Sequence, residues 1–524
     1  MKTIFQRVKS ALRAFRQSPA STRGYAGAAH NRLTADWSPS TSTGDSEIRY
    51  DIESLRSRAR DLEIRDPLTK RGLCVLEENV LKIGCGYSFQ NLATNPDRTP
   101  DFLANQKIAD AWLEWTKPEN CTLNGEDSFA EVLRLALRSC ARDGGILIDK
   151  VIGPDVNEFG FALRMLEIDH LDINHNSVTT RQGNKITMGI EKDAMGKTVA
   201  YHILRNHPGD LIFGASPRDR IRIPASELVH YFVKERVSQC VGVPWFAPSM
   251  MRLHHLAHYE ESEIIASREG ANKGVFFKPT GPTDYQGDDE VGIGADGQTE
   301  KTGAKLSQSE PGTSEILPVG WEAIPYDPTH PTQQYGDFTT HAKLGISAGF
   351  NMSYATLVGD LTKVSFSSIR AGSVAERQAF MKIQAHQIVH LVEPIFRAWL
   401  EMAILIGKVN LPMSKFAQFH KPYFRGKRWD WVDPEKDLQA KKLELELGLR
   451  PRASIIDEGT SELDLEETFT QLAYEEKLAK EKKLSFAMKA EAEIAGMKPA
   501  PVHKNGNGNG KPKEENEEEP ASRR

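Results

Sequence analysis

The sequence contains no run of about 18 apolar residues, the length a helix needs to cross a bilayer, so no membrane-spanning segment is expected. Cysteine is scarce. Cys74, Cys85, Cys121, Cys140 and Cys240 are odd in number, widely scattered and include no C-x-x-C pair. That pattern excludes a disulfide framework and predicts reduced core thiols in a soluble, cytosolic setting. An excess of positive charge is also missing: 67 Lys and Arg stand against 72 Asp and Glu, a net charge of −5. A protein that coats nucleic acid with its whole surface is thereby excluded, and any such contact must be local. No G-x-x-x-x-G-K-[ST] occurs, which removes a P-loop motor.

What remains is a globular composition, 39% hydrophobic and 27% charged over 524 residues, a length that suits about three domains. Lys2, Arg7, Lys9, Arg13, Arg16, Arg23 and Arg32 precede the first acid, Asp36, with Ile4, Val8, Leu12 and Phe15 at helical spacing. Such an arm suits a targeting peptide or a basic helix that docks on a partner, and both readings stay open. Residues 17–46 are rich in small and polar types and read as flexible. Two helices are expected over 51–81, interrupted at Asp66-Pro67.

A further amphipathic helix over Ser128–Ala141 ends at Gly144-Gly145 and leads into the strand "ILIDKVI". "ITMGIEKDAMGKTVAYHIL" predicts a hairpin across Ala194-Met195-Gly196, and "ELVHYFV" another strand, so Asp51–Gly242 is a mixed α/β domain. Residues 248–271 predict one helix roughly 35 Å long. The polar stretch 279–314 would not fit a compact core and should project. A second long helix is expected from about Ser365 to Ile406, kinked at Pro394. Shorter helices follow to about 495. The tail "KNGNGNGKPKEENEEEPASRR" lacks the apolar surface to fold.

Three motifs suggest chemistry. Gly345-Ile346-Ser347-Ala348-Gly349 spells G-x-S-x-G, the nucleophile elbow of serine hydrolases, with Asp360 and His386 following in suitable order. The elbow needs a strand before the serine and a helix after it. "YGDFTTHAKL" and "FNMSY" provide neither. "GIGADG" at 292–297 matches a dinucleotide loop but lies in the polar insertion, without strand or helix. His254 and His258, at i and i+4, share a helix face and are candidate metal ligands, yet His255 stands where H-E-x-x-H requires glutamate. No catalytic constellation coheres, and neither cofactor nor metal is expected. Two long helices flanking a polar insertion instead describe an assembly component.

The stretch "GISAGFNMSYATLVGDLTKVSFSSIRAGSVAERQAFMKIQAHQIVHLVEPIFRAWLEMAILIGKVNLP", from 345 onward, resembles the portal proteins of lambda-type tailed bacteriophages. "YDIESLRSRARDLEIRDPLTKRGLCVLEENVLKIGCGYSF", "FAEVLRLALRSCARDGGILI", "HYFVKERVSQCVGVPWFAPSMMRLHHLAHYEESEI" and "WDWVDPEKDLQAKKLELELGLRPRASIIDEGTSELDLEETFTQLAYEEKL" resemble further parts of the family in the same order. The chain departs from the pattern at Gly145, where a glutamate is expected, and at Cys240-Val241, where a basic residue is expected before Gly242.

The resemblance implies an α-rich mixed α/β portal-type fold with wing, stem, clip, tunnel loop and helical crown, assembled as a ring ordinarily of twelve subunits. Mapped onto this chain, it implies a basic arm at 1–46, a wing at 47–246, a first stem helix at 247–272 and a clip at 273–328. A second stem helix at 329–350, a tunnel loop at 351–365, a long kinked wing helix at 366–407, a crown at 408–495 and a tail at 496–524 complete it. Asn351, Tyr354, Thr356, Thr362, Lys363 and Ser365 would face DNA in the tunnel loop, and Arg370 and Arg377 would lie at subunit interfaces. The implied partners are other copies of the chain, the terminase large subunit, head-completion and connector proteins, the major capsid and scaffold proteins, and double-stranded DNA held without sequence specificity. No membrane is involved, and the implied location is the virion after assembly in the host cytoplasm. A channel that lets DNA slide needs sparse basic residues, because each neutralised phosphate adds affinity through counterion release. The alternatives are a serine hydrolase using Ser347 and a scaffold of similar architecture outside phages.

Overall fold

The computed structural model describes residues 32, 40–180, 183–210, 212, 219–271, 275–279, 291–293, 299–301, 321–325, 335–362, 366–429, 434–458 and 465–482. The N-terminal arm before residue 40, apart from Arg32, and the C-terminal tail lie outside them. Two compact units divide between Lys427 and Arg428.

In the first unit, helices α1 (Ile52–Arg65) and α2 (Pro67–Val80) are separated where the sequence places its proline. The Asp66 side chain accepts from the Thr69 N–H at 2.6 Å and caps α2, while Pro67 occupies the first turn, where an N–H would have no helical partner. Strand β1 (Ser88–Asn91) and helix α3 (Phe102–Trp115) follow. Helix α4 (Phe129–Asp143) opens on a capping box between Ser128 and Glu131 and stops at Gly144, whose φ is 87°. A Cβ on Gly144 would lie 2.4 Å from the Gly242 carbonyl oxygen, so this crossing requires glycine.

Next comes β2 (Ile146–Ile152), the centre of a three-stranded antiparallel sheet between β3 (Phe161–Glu167) and a later strand. Strands β4 (Lys185–Thr187), β5 (Ile190–Lys192), β6 (Thr198–Leu204) and β7 (Arg220–Pro224) form a second antiparallel sheet in chain order. The expected hairpin is β5–β6. Its first arm is split in two, because Met188 and Gly189 both take positive φ, as a primed two-residue turn requires. Strand β8 (Leu228–Tyr231) completes the first sheet.

Four arginines lock these helices together. Arg138 bridges Glu63 at 2.6 Å and Glu77 at 2.5 Å, and Arg142 reaches Glu63 at 2.7 Å, which ties α4 to α1 and α2. Arg56 and Arg60 pair with Asp169, and Arg60 also with Asp143. Burial opposes the charge on Asp169, but Arg56 and then Arg60 hold its carboxyl below the usual range.

After helix α5 (Met250–Ala271) come β9 (Val275–Pro279), β10 (Val291–Ile293), β11 (Thr299–Lys301) and β12 (Trp321–Pro325); β10 pairs with β11 within the polar stretch 279–314, and β9 pairs with β12 across its two ends. The apolar runs "VFFKP" and "WEAIP" were the signal for the outer pair. Most of the "GIGADG" motif lies outside the described residues.

Helices α6 (Tyr335–Gly349), α7 (Tyr354–Val358), α8 (Phe366–Gln387) and α9 (Glu393–Ile406) follow. A π turn at Ile388–Val392 joins the last two, so the feature expected at Pro394 is a change of hydrogen-bond register just before the proline. Buried Gln387 accepts from Tyr87 Oη at 2.6 Å and donates to the Leu133 carbonyl at 3.0 Å, pinning the end of α8 to α4 and to the approach to β1. Strand β13 (Pro422–Arg425) pairs with β1, and Phe424 joins Phe89, Trp112 and Phe396 in an aromatic core with Trp115 and Trp399. This pairing holds Pro422–Arg425 in the first unit.

The second unit holds α10 (Pro434–Glu446), α11 (Arg452–Glu458) and α12 (Leu465–Lys482). Arg450 ties the first two through Glu444 at 3.3 Å and through Glu458. No described helix is long and apolar enough to cross a membrane.

Candidate functional site

Helices α5 and α6 run antiparallel. Ser249 donates to the Ile346 carbonyl at 3.2 Å at one end, while Tyr259 meets Phe338 edge-on at 4.9 Å and Lys343 pairs with Glu260 at 3.0 Å further along. The G-x-S-x-G motif is part of this contact. Gly345 and Gly349, four residues apart, lie on one face of α6. A Cβ on Gly349 would fall 1.8 Å from Ser249 Oγ, and one on Gly345 would fall 1.7 Å from the Arg252 guanidinium. Ser347 is 2% exposed and donates to the Lys343 carbonyl at 2.8 Å. Its hydroxyl is thus spent on the preceding helical turn, and helix, not strand, precedes it. The glycines serve close packing, and the elbow reading is corrected on that geometry.

Just past the end of α6, Phe350 stacks on Phe246 at 4.9 Å, and the chain turns at Asn351, whose φ is 55°. The expected loop then contains a helical turn, α7. Ser353 caps it by accepting from the Thr356 N–H, and Gly359 closes it at φ 80°. Leu357 is fully buried, and a Cβ on Gly72 of α2 would lie 2.7 Å from the Phe350 ring and 3.2 Å from Leu357. Absence of that Cβ lets the turn seat. Glu376, on α8, accepts from the Ser353 N–H at 2.9 Å and from Thr356 Oγ1 at 2.7 Å.

The residues read as DNA-facing therefore divide. Asn351 and Thr362 are exposed, Thr362 giving both its N–H and hydroxyl to Asp360 Oδ1 at 2.9 and 2.6 Å. Tyr354 and Thr356 are half-buried, and Thr356 is committed to Glu376. Lys363 and Ser365 lie outside the described residues. Arg370 and Arg377 are both on α8, Arg377 half-buried. Two residues escaped the sequence reading. Glu376 is one, and Arg71 is the other, its guanidinium 3.6 Å from where a Gly359 Cβ would stand. Neither had a local signal, since each meets this segment only through tertiary packing.

His254 and His258 do share a face, their rings 4.5 Å apart, and His258 lies 3.6 Å from Glu261. A tighter group is Glu167, Asp169 and His207. Arg60 already pairs with both acids there. His207 Nδ1 accepts from the Gly209 N–H at 3.0 Å, which leaves the ring proton on Nε2, facing the carboxylates. A donor in that position serves an ion-pair cluster rather than a metal.

The first unit thus combines helices held by buried ion pairs, an antiparallel helix pair and a reversal seated beyond it. The chain matches the family described as phage portal protein, lambda family, over residues 30–384. It is 32% identical to a probable portal protein of Halomonas phage phiHAP-1 over 434 residues, 82% of each chain. The chain belongs to the lambda family of phage portal proteins, and its function is that of a portal protein. Among solved structures it is similar to a chain in the neck of an empty GTA particle computed with C6 symmetry, at 13% identity and a TM-score of 0.42, covering 78% of this chain and 92% of that one. A chain in the neck of the native GTA particle computed with C12 symmetry compares at 12% identity, TM-score 0.42 and the same coverage.

Proposed function

We propose that the chain assembles into a homo-oligomeric ring, ordinarily of twelve subunits, at one capsid vertex of the virion, forming the channel through which double-stranded DNA is packaged, retained and ejected. The observation that carries this reading is family membership across the wing and stem. A second feature supports the ring: Val374, Met381 and Val389, spaced seven and eight residues apart, leave an apolar stripe along α8 and the π turn that is 48%, 37% and 52% exposed. A neighbouring copy would cover it, with Arg370 and Arg377 alongside.

In this reading, residues 273–328 are the clip that docks the terminase large subunit and then the head-completion and connector proteins, while the outer wing meets capsid and scaffold proteins. Asn351, Tyr354, Thr356, Thr362, Lys363 and Ser365 line the narrow passage. Arg71 adds one positive charge beside Gly359, and Asp360 one negative charge, so each subunit offers few phosphate contacts and DNA slides. Negative-stain microscopy of the purified protein tests the ring directly. Monomers at high concentration, with no annular particles, would overturn the proposal.

A further inference from the structure

Cys240 stands where the family pattern leads one to expect a basic residue, and nothing in the portal reading uses it. Its Sγ lies 2.7 Å from Nζ of Lys192, the last residue of β5. An ordinary N–H···O hydrogen bond is about 2.9 Å, and sulfur is much larger than oxygen, so this is not the spacing of an ordinary amine–thiol contact. It is the spacing that one oxygen atom, singly bonded to both nitrogen and sulfur, would impose.

The surroundings hold the pair in place. Cys240 is 4% exposed, its N–H donates to Asp45 Oδ1 at 2.6 Å, and its sulfur has the Ser238 carbonyl at 3.9 Å on another side. The same loop holds residues 42–47: Gly44 N–H donates to Ser238 Oγ at 3.0 Å, Arg236 donates to the Ser42 carbonyl at 2.9 Å, and Arg236 also pairs with Glu47. Burial first, and then hydrogen bonding to Asp45, pushes the Cys240 thiol up, while Lys192 works the other way. Cys85 is exposed by contrast, and Cys121 and Cys140 are buried.

We propose that Lys192 and Cys240 are a modification site: on oxidation by dioxygen or a peroxide they become covalently joined as Nζ–O–Sγ. With dioxygen, one thiol S–H bond and one amine N–H bond break and S–O and O–N bonds form. One oxygen atom stays in the bridge, and the other leaves as water with the two hydrogens. Thiol and amine together lose four electrons, and dioxygen gains four. With hydrogen peroxide, two molecules are consumed and three waters released. The product staples β5 to the loop that holds residues 42–47. Formation is expected in oxidising surroundings and reversal by thiols in reducing ones.

The test is mass spectrometry of the full chain after hydrogen peroxide treatment, alkylation under denaturing conditions and tryptic digestion. Residues 186–197 and 237–252 should appear as one linked species about 14 Da above their sum, since one oxygen is gained and two hydrogens are lost. Methionine oxidation in either peptide adds about 16 Da and is separable. The linked species should persist in Cys85→Ser, vanish in Lys192→Gln and in Cys240→Ser, and revert with dithiothreitol. Recovery of Cys240 only as an alkylated thiol or as unlinked sulfinic or sulfonic acid would overturn the proposal, as would a linked species that survives Lys192→Gln.

Discussion

Replacing Glu376 by alanine should free α7, the turn that follows α6, without unfolding the rest of the first unit. Its carboxylate accepts two hydrogen bonds, from the Ser353 N–H and from Thr356 Oγ1, at 2.9 and 2.7 Å. Hydrogen bonds to a charged group contribute roughly 1.5–3 kcal/mol when buried, but Ser353 is exposed and water replaces part of what is lost, so about 1–2 kcal/mol for the pair is the reasonable figure. Leu357, packed against α2, still holds the turn after that loss. A change of this size multiplies the open population about 5- to 30-fold. Hydrogen exchange across residues 353–359 reads it directly, and the amides of α4, in the core of the first unit, provide the internal reference. Exchange there should stay unchanged. Glu376→Gln keeps one acceptor oxygen and should fall between parent and alanine variant. Protection of 353–359 within about twofold of the parent in Glu376→Ala would show that Glu376 does not hold the turn.

Ser347→Ala should leave assembly and DNA packaging nearly unchanged, because alanine is the better helix former by about 0.5 kcal/mol and only a bond to the preceding turn is lost; loss of packaging by intact rings would revive the nucleophile. Gly349→Val, by contrast, should lower stability by about 1–3 kcal/mol in chemical denaturation, because its Cβ meets Ser249. Lys363→Glu should preserve rings and reduce the DNA length packaged per particle, with partial recovery as salt rises, and packaging equal to the parent would place Lys363 away from DNA. Burial, with Arg56 and Lys234 nearby, lowers the His230 pKa to about 3, and burial with His390 lowers that of His386 to about 4. Both are neutral when folded and take up a proton on unfolding, so stability falls as pH drops below the unfolded value near 6.5. The loss should be about 1 kcal/mol for each between pH 6.5 and 5.5, measured by denaturant melts, and a His230→Gln, His386→Gln double variant should lose about 2 kcal/mol less than the parent over that range.

Much of the architecture was legible in the chain alone, because helices and strands announce themselves by local rules. Asp66-Pro67 marked the break between α1 and α2, Ser128 with Glu131 and the following glycines bounded α4, and the small-residue turn at 194–196 closed a hairpin. The order of segments carried the family. The polar stretch 279–314 hid its strands because three residues such as "VGI" are too short to show a period against polar neighbours. The meaning of Gly345, Ser347 and Gly349 was not local: the same five residues spell an elbow or a packing face, and only the approach of Ser249 and Arg252 from α5 chose between them. Likewise the seating of α7 depends on Gly72, nearly 300 positions earlier, and on Glu376 from the helix that follows. The sequence by itself determined which elements form and to which family the chain belongs, since these rest on neighbours within a few residues and on their order. Tertiary structure alone decided what each polar group of α5, α6 and the turn beyond them is bonded to, because hydrogen bonds and van der Waals contacts act over a few ångströms of space, whatever the distance along the chain.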